Sequence, residues 1–280
     1  TQAPSAELYV SLGEALVHQE EPAAAAIAYS RSLALQPHQP EIHYALGIIY
    51  AQQQRWGQAI CHYEEALRLR PNWFDVMFRL ARAFHRIGES ARSLATYQQV
   101  VGCQPDCAEA YFSMGLLYRQ QGNYCEAIRC YRQAVFARPS YVKAHEHLGT
   151  ALVHIEAYEA ADVIYEQAIT ACPSAAVLFK DLGHLRLAQG NEQLALVNYR
   201  QAIALDPSLS AAYKGIGSLY YRNQSLQQAA HYFQQAVSHA PHSASALNYY
   251  AWTLAEQGRW AVLLDCFRHV WVAESNFVAA

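Results

Sequence analysis

The stretch AIRCYRQAVFARPS, residues 127–140, returns in altered form as ALVNYRQAIALDPS at residues 195–208. Midway lies ADVIYEQAITACPS, residues 161–174, so the phrase recurs every 34 residues (161 − 127 = 34; 195 − 161 = 34). Self-similarity at this period marks a stacked array of supersecondary units, each burying its apolar face only against its neighbours. Proline keeps the beat: Pro37, Pro71, Pro105, Pro139, Pro173, Pro207 and Pro241 are each 34 residues apart. Proline lacks the amide donor a helix interior needs and pushes the preceding residue out of helical space, so each is a helix stop. With proline as position 32, the chain divides into an extension (1–5), eight units and a tail (278–280). The units are 6–39, 40–73, 74–107, 108–141, 142–175, 176–209, 210–243 and 244–277, the last with Ser275 in place of proline.

Other positions carry the same rhythm. Position 24 is aromatic in all eight units: Tyr29, Tyr63, Tyr97, Tyr131, Tyr165, Tyr199, Phe233 and Phe267. Position 8 is glycine in six (Gly13, Gly47, Gly115, Gly149, Gly183, Gly217), with Ala81 and Ala251 in the others. A glycine inside a helix costs about 1 kcal/mol against alanine, so the set implies helix backbones crossing closely at that level. Apolar residues at positions 4, 7, 8 and 11 share one helical stripe, and those at 20, 24, 27 and 28 share another. Each unit therefore reads as two amphipathic helices joined near positions 15–17, where Gly88, Gly122, Gly190 and Gly258 fall.

The order aromatic, Leu-Gly, Tyr, Ala, aromatic, Ala, Pro is nearly complete in HYALGIIYAQQQRWGQAICHYEEALRLRP, residues 43–71. On these residues the sequence resembles the tetratricopeptide repeat family over 6–277. The resemblance implies an all-α, right-handed superhelical α-solenoid of antiparallel helix pairs, with the first helix of each unit lining the inner wall. It also implies a protein or peptide ligand in the concave groove and no chemistry of the chain's own.

Composition agrees with a non-enzymatic interaction scaffold. Of the 280 residues 53% are hydrophobic and only 15% charged, with net charge −3, which lacks the basic footprint of a nucleic-acid binder. No apolar run reaches the length of a membrane span. The chain begins at Thr1 rather than Met and shows no signal-peptide pattern, which reads as a piece of a longer or processed chain. Seven cysteines, at 61, 103, 107, 125, 130, 172 and 266, form no disulfide framework; they read as reduced, small buried hydrophobes in a cytoplasmic protein. Neither a nucleophile–base–orienter set nor a glycine-rich phosphate loop is visible, and no cofactor is expected.

The family geometry puts positions 2, 5, 6, 9, 12 and 13 on the concave face. In the first half these include Tyr44, Ile48, Phe78, Phe112 and Leu116. Two readings stand: the rings pack on one another along the groove, or they form an apolar strip for a partner's side chains. On the second, truncating Phe78 and Phe112 should abolish capture without loss of stability. Arg82, Arg86 and Arg119 add donors. Position 2 is acidic in the first four units (Glu7, Glu41, Asp75, Glu109), which the helix dipole alone favours. From the fifth unit the wall turns polar and basic, with Lys143, His147, His154, Lys180, His184, Lys214 and Arg222. A groove for an acidic or polar peptide is the reading taken there, in preference to a metal held by His147, His154, His184 and Asp181.

Two finer functions of the family do not transfer. The clamp for acidic C-terminal tails fails, because Lys180 is followed by His184 and Gly215, and Lys214 by Ser218 and Tyr249. The asparagine ladder of glycosyltransferase-linked arrays is missing from position 6, which reads Ser11, Ala45, Arg79, Ser113, His147, Asp181, Gly215 and Tyr249. The alternative to a free-standing scaffold is the substrate-recruiting module of a larger bacterial enzyme. The last helix is apolar where a polar capping helix is expected, so Trp252, Trp260 and Trp271 mark an end that continues or self-associates.

Overall fold

Helix stops every 34 residues cut the chain into segments too short for one long helix and long enough for two. The structure, a computed structural model, describes residues 5–265. It divides into two compact units, Thr1–Arg138 and Pro139–Ala280. The first holds α1 (Ala6–His18), α2 (Pro22–Leu35), α3 (Pro40–Gln52), α4 (Trp56–Leu69), α5 (Phe74–Arg86), α6 (Ser90–Cys103), α7 (Ala108–Gln120) and α8 (Tyr124–Ala137). The second holds α9 (Val142–His154), α10 (Tyr158–Ala171), α11 (Ala176–Ala188), α12 (Glu192–Leu205), α13 (Ser210–Arg222), α14 (Leu226–His239) and α15 (Ala244–Glu256), and residues 260–265 are helical again. Among the described residues there is no strand. Consecutive helices pack as pairs, and within each unit each pair packs on the next, so the fold is an all-α solenoid of helix hairpins.

The turn inside each hairpin has one geometry throughout. The residue at position 15 is left-handed in all eight copies: Gly88, Gly122, Gly190 and Gly258 at φ 68–82°, and Glu20, Gln54, Glu156 and Gln224 at φ 58–60°. Its amide donates back to position 12, and the next amide reaches position 11, as in Glu89 N to Phe84 O at 2.9 Å. Two otherwise orphaned carbonyls are thereby satisfied, which is the Schellman termination of a helix. In half of the hairpins a side chain tolerates a backbone conformation that glycine adopts freely.

The core repeats as regularly as the turns. The ring at position 24 is fully buried in Tyr63, Tyr97, Tyr131, Tyr165, Tyr199 and Phe233. It lies against the position-8 glycine of its own hairpin: a Cβ on Gly47 would come within 2.4 Å of Tyr63 Cε1, and one on Gly149 within 2.2 Å of Tyr165 Cζ. The glycine thus admits an aromatic face onto a helix backbone, whereas its spacing alone suggested backbones crossing. Alanine replaces it at Ala81, where the Ala81 carbonyl instead accepts from the buried Ser93 hydroxyl at 2.8 Å.

Two further buried positions escape the amphipathic stripes. Position 3 (Ile42, Val76, Ala110, Ala144, Leu178, Ala212, Ala246) and position 10 (Ile49, Ala83, Leu117, Ala151, Leu185, Leu219, Thr253) are buried from the second hairpin onward. Within the Thr1–Arg138 unit they face the preceding hairpin, as Ile42 and Ile49 do against Ala25, Ala26 and Tyr29. In α1, Leu8 and Leu12 are exposed.

Candidate functional site

From the second hairpin on, positions 3, 7 and 10 of the first helices are buried, and the face that the family geometry assigns to ligands carries positions 2, 5, 6, 9, 12 and 13. In the Thr1–Arg138 unit the position-5 rings sit on the buried position-24 tyrosines. Tyr44 is 6.3 Å from Tyr63 between ring centroids, Phe78 meets Tyr97 edge-on at 5.6 Å, and Phe112 lies 5.8 Å from Tyr131. Tyr44 also packs on Trp73 at 4.9 Å, and its hydroxyl accepts from Arg79 Nε at 2.9 Å. Phe112 is only 9% exposed, while Tyr44, Ile48, Phe78 and Leu116 are half-buried. The packing of rings on one another therefore accounts for these aromatics. Truncating Phe112 would open a cavity at about 3–5 kcal/mol, so Phe112 is no neutral groove residue, contrary to the sequence-based expectation.

The same face opens into two clefts that share Ile48. One, of about 350 Å³, is lined by Val17, Glu20, Pro22, Tyr29, Ala45, Ile48, Ile49 and Gln52. The other, of about 250 Å³, is lined by Ile48, Ala51, Gln52, Trp56, Tyr63 and three arginines on α5, Arg79, Arg82 and Arg86. Arg86 lies 5.8 Å from the Trp56 ring centroid, within cation–π range. Arg82 and Arg86 have no hydrogen bond or ion pair among the described residues. Sequence reasoning named Ile48, Arg82 and Arg86 as candidates on this face, recorded Arg79 there at position 6 without naming it a candidate, and missed Trp56. The missed signal is position 17, the first residue of the second helix, which is large in Trp56, Tyr124, Tyr158 and Trp260. Arg119 is half-buried on α7, one turn beyond Leu116.

In the Pro139–Ala280 unit the basic residues are largely satisfied by their own neighbours. Lys180 Nζ lies 2.7 Å from Asp181 Oδ1 and 3.9 Å from Glu146, with only 13% of its side chain exposed. His184 Nδ1 is 3.9 Å from the same Asp181 oxygen, and its ring meets Tyr199 edge-on at 5.4 Å. Lys214 Nζ donates to Ser245 Oγ at 3.1 Å, and Arg222 lies 3.9 Å from Glu192. Lys143 and His154 are exposed and His147 is half-buried, all on α9. Among the described residues no three His, Cys, Asp or Glu side chains stand close enough to share a metal ion.

Acidic position 2 does more than meet the helix dipole: Glu109 lies 2.6 Å from Arg138 and Glu41 3.7 Å from Arg70. The six described cysteines are free thiols, but Cys61, Cys103 and Cys125 are exposed rather than buried. Burial pushes the Cys130 thiol up to about 11. Trp252 and Trp260 are 68% and 59% exposed, while Trp271 lies outside the described residues. No helix among the described residues is long and apolar enough to cross a membrane.

A solenoid of helix hairpins with an open first-helix face defines a protein-interaction repeat protein. A tetratricopeptide repeat family model matches residues 10–73, 44–108, 78–128, 112–176, 180–237 and 214–262, so the chain belongs to the tetratricopeptide repeat family. Members of this family bind peptides or proteins and are generally non-catalytic scaffolds. A tetratricopeptide repeat protein from Parabacteroides merdae is similar at 18% identity and TM-score 0.64, over 89% of this chain and 98% of that one. The C-terminal part of a repeat protein from Cytophaga hutchinsonii is similar at 17% identity and TM-score 0.69, over 86% and 98%. YrrB, described as a repeat protein with an unusual peptide-binding site, is similar at 21% identity and TM-score 0.50, over 66% and 96%. At these identities the likeness concerns the fold. No curated protein matches the chain.

Proposed function

We propose that this chain is a non-enzymatic scaffold of eight repeat units, 6–277, that docks a segment of a partner protein on the face left by its first helices. The observation that supports the reading is the pair of clefts joined at Ile48, which combine apolar walls with two arginines, Arg82 and Arg86, that make no ion pair among the described residues. A site of this kind suits an extended peptide, with apolar side chains providing anchorage and a few placed polar groups providing orientation. The free thiols fit a reducing, cytoplasmic setting.

Selection of displayed random peptides against the full chain tests the reading, with Ile48→Glu as counter-selection. Peptides retained by the wild type and lost by the variant are expected. Enriched peptides that bind both alike would refute docking in these clefts. A second reading, self-association through the last repeat, is favoured by the exposed Trp252 and Trp260. It requires a concentration-dependent dimer in light scattering that Trp252→Ser with Trp260→Ser abolishes.

A further inference from the structure

Four arginines elsewhere in the Thr1–Arg138 unit are tightly answered by carboxylates, while Arg31 and Arg55 lie over the rings of Tyr9 and Tyr50. Arg68 pairs with Glu65, Arg92 with Glu64 and Glu89, Arg129 with Glu126 and Arg138 with Glu109, all at 2.6–2.8 Å. The set on α5 is different. Arg79, Arg82 and Arg86 converge on one cleft, and no carboxylate lines it. Like charges three and four residues apart on a helix repel each other, so this arrangement is mildly unfavourable in the empty protein. A cleft of one charge sign with low-dielectric walls concentrates its field on whatever enters.

The walls also hold the guanidinium groups in place. Arg79 spends its Nε on the Tyr44 hydroxyl and lies 5.7 Å from that ring's centroid. Arg86 lies over Trp56. Arg82, between them in sequence, is exposed and has every donor available. The planar guanidinium fork matches a carboxylate in two parallel hydrogen bonds, which a lysine cannot reproduce.

Resting on the docking reading above, we propose that this double cleft binds an extended acidic segment of a partner protein. Two carboxylates on alternate residues engage Arg82 and Arg86, and an adjoining apolar side chain enters the cleft beside Ile48. The register follows from geometry. Arg82 and Arg86 are four residues apart on α5, a rise of about 6 Å. Alternate residues of an extended chain share a face and repeat at about 6.8 Å, close enough for flexible side chains to take up the difference. The neighbouring cleft carries Val17, Tyr29, Ala45 and Ile49 around the shared Ile48, an apolar seat directly beside the cationic one.

The test uses the full chain and a fluorescein-labelled peptide with a leucine followed by glutamates on alternate residues. A second peptide carries glutamine in their place, and binding is read by fluorescence anisotropy. Glutamine is expected to weaken binding by roughly tenfold or more. Arg82→Gln with Arg86→Gln should weaken the glutamate peptide alike and leave the glutamine peptide unchanged, whereas Ile48→Glu should weaken both. Equal affinity of the two peptides, or an arginine double variant that binds the glutamate peptide like wild type, overturns the inference. So does tighter binding of a single-stranded oligonucleotide of equal charge. If Ile48→Glu still weakens both peptides in that event, docking stands without its acidic specificity. If it changes neither, both readings fall. Arg132→Gln with Arg200→Gln, two exposed arginines on second helices that line neither cleft, serves as the charge-matched control and should leave every affinity unchanged.

Discussion

Replacing Gly149 with alanine should destabilise the protein, although helix propensity by itself favours the change by about 1 kcal/mol. The opposing term comes from one ring. A Cβ at Gly149 would lie 2.2 Å from Tyr165 Cζ, 2.5 Å from Cε1 and 2.6 Å from Oη. Carbon atoms rest about 3.5–4.0 Å apart, so the ring must retreat by more than about 1 Å. Tyr165 is fully buried, and a close-packed interior gives it little room to do so. Overpacking of this kind costs about 1–3 kcal/mol and occasionally more, and a clash with three ring atoms belongs at the upper end. The net expectation is about 1–2 kcal/mol of lost stability. With an m-value of about 3 kcal/mol/M, the urea midpoint by far-ultraviolet circular dichroism should drop by about 0.3–0.7 M. Gly102→Ala is the control, because nothing lies within 4 Å of the added carbon. It should gain up to about 1 kcal/mol. A Gly149→Ala midpoint at or above wild type would refute the ring-on-glycine account of the core.

Glu20, Gln54, Glu156 and Gln224 occupy left-handed backbone, so glycine at each should raise the urea midpoint by about 0.5–1 kcal/mol equivalent; Gly122→Ala should lower it by a similar amount. Phe112→Ala should destabilise by about 3–5 kcal/mol in the same melt, whereas Lys143→Ala on the exposed start of α9 should stay within about 0.5 kcal/mol. His43 and His62 face each other through Nδ1 atoms 3.1 Å apart, beside Glu65 and Arg68, and burial holds both below the usual histidine value of 6.5. The unfolded chain then binds more protons, so stability should fall as pH drops from about 8 to about 5, and fall less in His62→Phe. Burial pushes Tyr63 and Tyr131 up to about 12 from 10.0, and Tyr165 and Tyr199 further still. Here the folded state retains protons longer, so stability is intact below pH 10 and should decline above it. Tyrosinate absorbance should rise together with loss of helicity; full ionisation of a still-helical chain would contradict the burial.

The sequence by itself determined the period, the two helices per hairpin and the positions of the stops. These depend on signals local in the chain: proline without an amide, glycine tolerant of left-handed backbone, and apolar residues at helical spacing. The naming of Ile48, Arg82 and Arg86 as groove candidates came instead from the family resemblance, since periodicity alone does not say which exposed face meets a ligand. Tertiary structure decided what neighbours do to each residue. Positions 3 and 10 are buried only because another hairpin covers them, and Phe112 is lost to the groove because it settles on Tyr131. Lys180 has the same charge in the sequence as the arginines of α5. Asp181 and Glu146 answer that charge in space, while no carboxylate reaches the cleft of Arg82 and Arg86. A one-dimensional pattern records which charges exist, but their neutralisation depends on distances between helices that only packing sets.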